Sequence, residues 1–439
     1  MNDAVQDCPT DVVIPIVLIP GIMGSRLRQK ANPSQKAWDP DDKAFTVWRY
    51  GVNHDGTATA MVLRAAWERK QLLVGQRRFA SHDPEYLEPI DTFEQDGVDP
   101  AAVAERQRRG WGTVVQSFYG GTLGYLSTHF QSEVAGRVLL QNPEFNWIHS
   151  PVWGAGYNWT TSNSTSGRYA ADTIRQAKAE GDQLAAENDA TCPGILVVTH
   201  SMGGFVARSA VLEHGVAGDV LAVFHNVMPT DGAPAAYKRF HFGFENPDGG
   251  FLKHIEYVVL GRGGAWTNST LGHSPGPQEL LPNKRYAANN HTGRWMHIRN
   301  YDGSMFQSLP VNADPYSEIY QRRDQIYRCA NPEWLYPEGA SSMPSTIDPF
   351  DDFVVQNNAA KGYHDRIIGA GDYHDITYFS HSGDSHEIAW DHIEWVPEAF
   401  GSSLFNRSIS RSDLSWDQGY EYETENIYIG TEEDKELEG

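Results

Sequence analysis

Ile195-Leu-Val-Val-Thr-His200-Ser201-Met-Gly-Gly204 carries four apolar residues into a serine backed by two glycines. The apolar, mostly β-branched run predicts a buried strand. Phe205-Val-Ala-Arg-Ser-Ala-Val-Leu-Glu-His214 then predicts a helix, ended by Gly215. Strand, serine, helix is the setting of a nucleophile elbow, where a strained turn exposes the hydroxyl. Small neighbours are needed there, and the N–H after the serine, on Met202, would face a forming oxyanion.

Thr199 stands where G-x-S-x-G would place its first glycine, and a complete copy of that pentapeptide lies elsewhere, at Gly272-His-Ser274-Pro-Gly276. Physical chemistry rejects the better match. Pro275 has no N–H to donate, and the Gly261-Arg-Gly-Gly-Ala-Trp-Thr-Asn-Ser-Thr stretch before it is loop-like rather than a strand.

Outward from the elbow, Ala171 to Asn188 predicts an amphipathic helix, with Ile174, Ala177, Gly181, Leu184 and Ala185 on one face. Val220 to Met228 predicts the next strand, and Val12 to Ile19 an earlier buried one interrupted by Pro15. A helix broken at Gly120-Gly121 is expected within Val114 to Phe130, and a further one across Met61 to Leu73. Val152 to Trp159 reads as a sheet edge or pocket wall. Strands alternating with helices imply right-handed crossovers and a mostly parallel sheet with helices on both faces. Ligands bind such sheets beyond the carboxyl ends of the strands.

At 439 residues the chain can bury a large core, and 40% hydrophobic content suits a folded globule. A net charge of −22 argues against nucleic acid as a partner and against simple attraction to anionic lipid. Transient membrane-surface contact would need apolar insertion, for which 13 Trp, 20 Tyr and 18 Phe offer material. Cys8, Cys192 and Cys329 are scattered and form neither a disulfide framework nor a metal motif. The first ten residues show no secretory signal, so a cytoplasmic location is expected, with signal-independent export open.

A second oxyanion donor is needed from the loop after an earlier strand. Ile16-Val-Leu-Ile-Pro-Gly21-Ile-Met23-Gly24-Ser supplies one: its glycines let the backbone curl and turn the Met23 N–H toward Ser201. Pro20-Gly-Ile-Met-Gly-Ser-Arg-Leu27, Gly156-Tyr-Asn-Trp159 and Thr199-His-Ser-Met-Gly-Gly204 together resemble the lecithin:cholesterol acyltransferase family of α/β-hydrolases. Asp231-Gly-Ala-Pro-Ala-Ala236 and Ser274-Pro-Gly-Pro-Gln-Glu-Leu-Leu-Pro282 extend the likeness over roughly residues 12 to 400. It is nearest to bacterial members, some of which resemble lipase effectors delivered by type VI secretion. The resemblance implies a secretion or immunity partner and a lipid acyl ester substrate. It also implies a serine mechanism without cofactor: attack by Ser201, Met23 and Met202 N–H groups on the oxyanion, and a histidine base oriented by a carboxylate.

On this reading residues 12–232 begin an α/β-hydrolase core with an irregular insertion at about 28–110. Residues 233–365 form a cap or lid insertion, 366–400 bring back core strands, and 401–439 are an acidic C-terminal tail. The family's Gly-Asp-Gly-Thr-Val-Pro-like acid motif is missing. Either the triad is incomplete or its partners come from His364 to His392, where Asp384 follows an expected strand and His386 is the next histidine. The competing reading of Gly371 to Glu387 is a polar hairpin turn with no catalytic part. A metal is not expected, because that cluster lacks fixed ligand spacing. His225 and Asp231 read as a packed strand histidine and a loop acid. The expected function is a serine esterase of lipid acyl esters, a lipase or phospholipase. Acyl transfer to an alcohol and a catalytically silent α/β-hydrolase-fold binding protein are the alternatives.

Overall fold

A computed structural model describes residues 11–42, 69–70, 72–74, 86–129, 148–244, 263–289, 294–300, 302–335, 348–368, 373–381 and 392–395. Five strands form the central sheet: β1 (Ile16–Ile19), β2 (Val152–Gly154), β3 (Ile195–His200), β4 (Val220–Asn226) and β5 (Thr377–Ser380). Their order is β5-β4-β3-β1-β2, and every neighbouring pair is parallel. The chain leaves β1 toward β2 on one side, then builds β3, β4 and β5 outward on the other. The reversal falls between β1 and β3, where an open α/β sheet forms its ligand crevice.

Alternation along β1 shows how the sheet is covered. Ile16 and Leu18 pack with Trp111, Val114, Tyr119 and Leu123, whereas Val17 and Ile19 join Ile174, Ala177, Phe205 and Val206. Both faces are therefore apolar and both carry helices. Helix α1 (Gln116–His129) lies on the first face; α2 (Asn163–Glu187) and α3 (Gly203–Glu213) lie on the second. Gly167 lets α2 and α3 touch: a Cβ there would stand 2.7 Å from Ser209 Cβ.

Three local expectations need correction. Helix α1 passes through Gly120-Gly121 unbroken. Packing of Tyr119 and Leu123 against the sheet outweighs the roughly 1 kcal/mol that each helical glycine costs. Of the core strands expected within 366–400, β5 joins the central sheet, whereas Ile393–Trp395 does not. It pairs in parallel with Met296–Arg299, which also pairs with Met305–Leu309, making a separate three-stranded sheet. The stretch read as irregular at 28–110 contains another small sheet, Leu27–Gln29 between Asn32–Trp38 and Leu87–Pro89. Of the expected helix at Met61 to Leu73, residues 69–70 and 72–73 are helical, and the rest lies outside the described residues.

The start of α2 holds a buried carboxyl group. Glu279 accepts bonds from Ser162 Oγ (2.7 Å), Asn163 N–H (2.8 Å) and Asn163 Nδ2 (2.7 Å). Helix N-termini favour negative charge, but complete burial pushes Glu279 up to about 8 from its ordinary 4.5. Between those values the folded chain holds a proton that the unfolded chain has released. The stabilisation is therefore complete below pH 4.5 and is lost as pH rises through 8. The buried His225, His241 and His364, each lowered to about 4, work in the opposite sense, mostly below pH 7, and Lys70, lowered by burial to about 8, does so as pH approaches and passes 8. Around pH 7, Glu279 alone should therefore contribute a fall of up to about 1.4 kcal/mol per pH unit. Chemical denaturation from about pH 6.5 to 8 reads that contribution as a difference: stability should rise more, or fall less, with pH in Glu279→Gln than in the wild type, and equal slopes would refute the assignment.

Candidate active site

Ser201 sits where the sheet geometry puts it, immediately beyond the carboxyl end of β3 and beside the switch point. Its φ is 51°, a left-handed conformation that costs a non-glycine residue roughly 1–2 kcal/mol. Its N–H donates to Asn226 O at 3.0 Å, and its carbonyl accepts from Gly204 N–H at 3.0 Å, which closes the turn into α3. Ser201 is half-buried, and its Oγ makes no hydrogen bond to the described residues.

The Pro20–Ser25 loop leaves the adjacent β1. Gly24 N–H bonds Gly21 O at 3.0 Å, and of the two residues between them only Met23 has positive φ, at 60°. That pattern is a type II turn with a methionine in the place usually given to glycine. The loop is held from three sides. Trp38 Nε1 donates to Met23 O (2.9 Å), Tyr157 Oη to Pro20 O (3.0 Å), and Gly21 N–H to Tyr119 Oη (2.8 Å). A Cβ on Gly21 would stand 3.1 Å from Ser201 Cβ, so loop and elbow are in contact. The N–H groups of Met23 and Met202 have no acceptor among the described residues. Two unpaired backbone donors beside a left-handed serine can stabilise an anion that forms there.

The missing first glycine of the elbow leaves no unpaired hydroxyl. Thr199 is fully buried and pairs across the strands with His225, and its Oγ1 lies 2.9 Å from His225 Nδ1. Burial and the Arg208 charge hold His225 near 4, hence neutral. Asp231 is engaged by Arg285 at 3.4 Å and Asn283 at 3.3 Å. Ser274, the serine of the complete pentapeptide, is fully buried and donates to Thr270 O at 2.8 Å. Asp384 and His386 lie outside the described residues. Among the described residues no group of three or more His, Cys, Asp or Glu side chains is arranged to hold a metal ion, and no helix is long and apolar enough to cross a membrane. A cavity of 540 Å³ is lined by Asp91, Gln107, Arg108, Trp153 and Gln176, and none of these belongs to the elbow or its loop.

No protein-family model matches the chain, and no curated protein matches it. Among solved structures it is similar to a chain in the crystal structure of the Tle4–Tli4 complex, with 26% identity over 88% of this chain and 78% of that one, and a TM-score of 0.64. Bacillus licheniformis lipase BlEst2 in its mature form is matched at 10% identity over 82% of this chain and 94% of that one, with a TM-score of 0.22, too loose to support any conclusion.

Sequence reasoning missed the supports of this site. Tyr119 is one of 20 tyrosines, and its partners Gly21 and His200 are 98 and 81 positions away. Trp38 belongs to the stretch read as irregular, where it ends the strand Asn32–Trp38. Asp39, beside it, binds Arg26 at 2.9 Å and fixes the far end of the Pro20–Ser25 loop.

Proposed function

We propose that this chain is an α/β-hydrolase-fold serine esterase of lipid acyl esters, lipase or phospholipase in type. The observation that carries the reading is Ser201 in its left-handed conformation at the switch point, flanked by the unpaired Met202 and Met23 N–H groups. Ser201 Oγ would attack the ester carbonyl and pass its proton to a histidine. The two N–H groups would bind the resulting oxyanion, a contribution of about 3–4 kcal/mol for one such donor. Collapse would expel the alcohol with the proton returned to it, leaving an acyl-serine for water to hydrolyse. His386 as base and Asp384 as its orienting acid follow β5 by six and four positions in sequence.

A surface feature supports a lipid substrate. In a chain of net charge −22, α1 contains no Asp, Glu, Lys or Arg, and it exposes Phe118 and Tyr125 while its Tyr119 touches the site. The similar structure was solved as a complex with Tli4, and we extend to this chain a dedicated protein partner of the immunity type.

The test is labelling with a fluorophosphonate, mapped by mass spectrometry, alongside chromogenic esters of increasing acyl length and phospholipid vesicles. We expect one adduct, on Ser201, and faster turnover of long-chain esters. An acyl ester formed from an added alcohol would assign transfer instead of hydrolysis. No adduct together with background rates on every ester would leave a binding protein on a hydrolase scaffold.

A further inference from the structure

We propose that Tyr119 and His200 are a positioning pair that fixes the oxyanion loop against the elbow. This rests on the reading of Ser201 as nucleophile. Tyr119 belongs to α1, outside both the loop and the elbow, yet its phenol touches each. Its oxygen accepts the Gly21 N–H at 2.8 Å and lies 2.8 Å from His200 Nδ1. His200 Nδ1 is the acceptor that the described residues offer to the phenol proton, which places the ring's own proton on Nε2. Burial keeps His200 below its ordinary 6.5 and so neutral, as this bond requires.

Close packing turns these two bonds into a positional constraint. A Cβ on Gly21 would stand 3.0 Å from His200 Nδ1, and one on Gly24 would stand 2.6 Å from Tyr119 Cε2. The two rings meet edge to face with centroids 5.8 Å apart. The Gly21–Gly24 turn therefore cannot slide past Ser201 without breaking a bond to the phenol or colliding with its ring. A donor to a developing oxyanion must hold its place to about 0.5 Å. A phenol that grips the loop through Gly21 and the elbow through His200 sets that distance.

The experiment compares Tyr119→Phe, His200→Asn and His200→Leu in the full chain, on an ester that the wild type cleaves. Phenylalanine keeps the ring and removes the bonds. Asparagine places an amide oxygen near the former Nδ1, whereas leucine offers no acceptor. Tyr119→Phe and His200→Leu should lower kcat about 10- to 100-fold with KM within about twofold, because an oxyanion contact acts in the transition state. His200→Asn should stay within about threefold of wild type. The Tyr119→Phe, His200→Leu double variant should be little worse than the poorer single one, since both cut one link. Equal kcat for Asn and Leu, or a Tyr119→Phe defect confined to KM, would overturn the proposal. Should Tyr119→Phe fail to fold, the comparison at half-buried His200 decides alone. If wild type and Ser201→Ala have equal rates and no fluorophosphonate adduct forms, the nucleophile reading fails and takes this proposal with it. If turnover depends on Ser201 but is indifferent to Tyr119 and His200, the positioning role alone fails.

Discussion

Ser201→Ala is expected to lower ester turnover about a thousandfold or more, to the level left by binding and the oxyanion donors. The fold should not register the change. Ser201 Oγ makes no hydrogen bond to the described residues, and alanine meets nearly the same backbone cost at φ 51°. The thermal midpoint should therefore stay within about 2 °C of wild type, separating lost chemistry from lost structure. Ser274→Ala is the matched control, because it removes a buried hydroxyl that donates to Thr270 O. That variant should lose about 1 kcal/mol of stability and keep its turnover. A Ser201→Ala enzyme that retained a tenth of wild-type activity would end the assignment.

The second large effect concerns stability. A Cβ on Gly203 would stand 2.5 Å from the carbonyl oxygens of both Ile19 and Pro20. These are main-chain atoms of β1 and the loop leaving it, so neither can step aside alone. Gly203→Ala must push α3 off the sheet or displace the loop, and either should cost about 3 kcal/mol or more. Gly204→Ala looks equally crowded by distance, with Met228 Sδ at 2.3 Å and Cγ at 2.5 Å, but the obstacle is a flexible side chain. Since alanine also favours the helix, that change should cost less than about 1.5 kcal/mol. Urea denaturation of the two variants checks the contrast, and equal losses would contradict it.

What the sequence revealed, and what it hid, follows from the range of the interactions. The elbow was legible because strand, turn and helix occupy twenty consecutive residues, and each signals its state locally. The decoy at Ser274 was rejected on the missing N–H of Pro275, and its complete burial agrees; the stretch before it, read as loop-like, is a helix at Gly264–Leu271, and no strand leads into that serine. Helix α2 begins at Asn163, eight positions before the apolar pattern announces it. Its first turns bury Asn163, Ser166 and Gly167, whose fit depends on Glu279 and on α3 rather than on hydrophobicity. The strand at Ile393–Trp395 was visible as a strand, but its partner was not. Strands pair through backbone N–H and C=O groups that almost any sequence supplies, so pairing with Met296–Arg299 left no local mark. The supports of the candidate site share this character. Trp38 and Tyr119 act through single atoms on backbone groups far along the chain.

Met23 and Ser201 are twisted alike, with φ of 60° and 51°, but they have different room to change. At position 23 glycine is an open substitution: it would release the backbone cost and forfeit a buried thioether side chain, while the backbone amide, which has no acceptor among the described residues, would remain. At position 201 the same relief removes the hydroxyl itself. Across descendants of this sequence, residue 23 should wander among side chains that tolerate the turn. Residue 201 has no neutral neighbour in sequence space while the chemistry is under selection, and a copy that drifts there would be recognisable as one released from that selection.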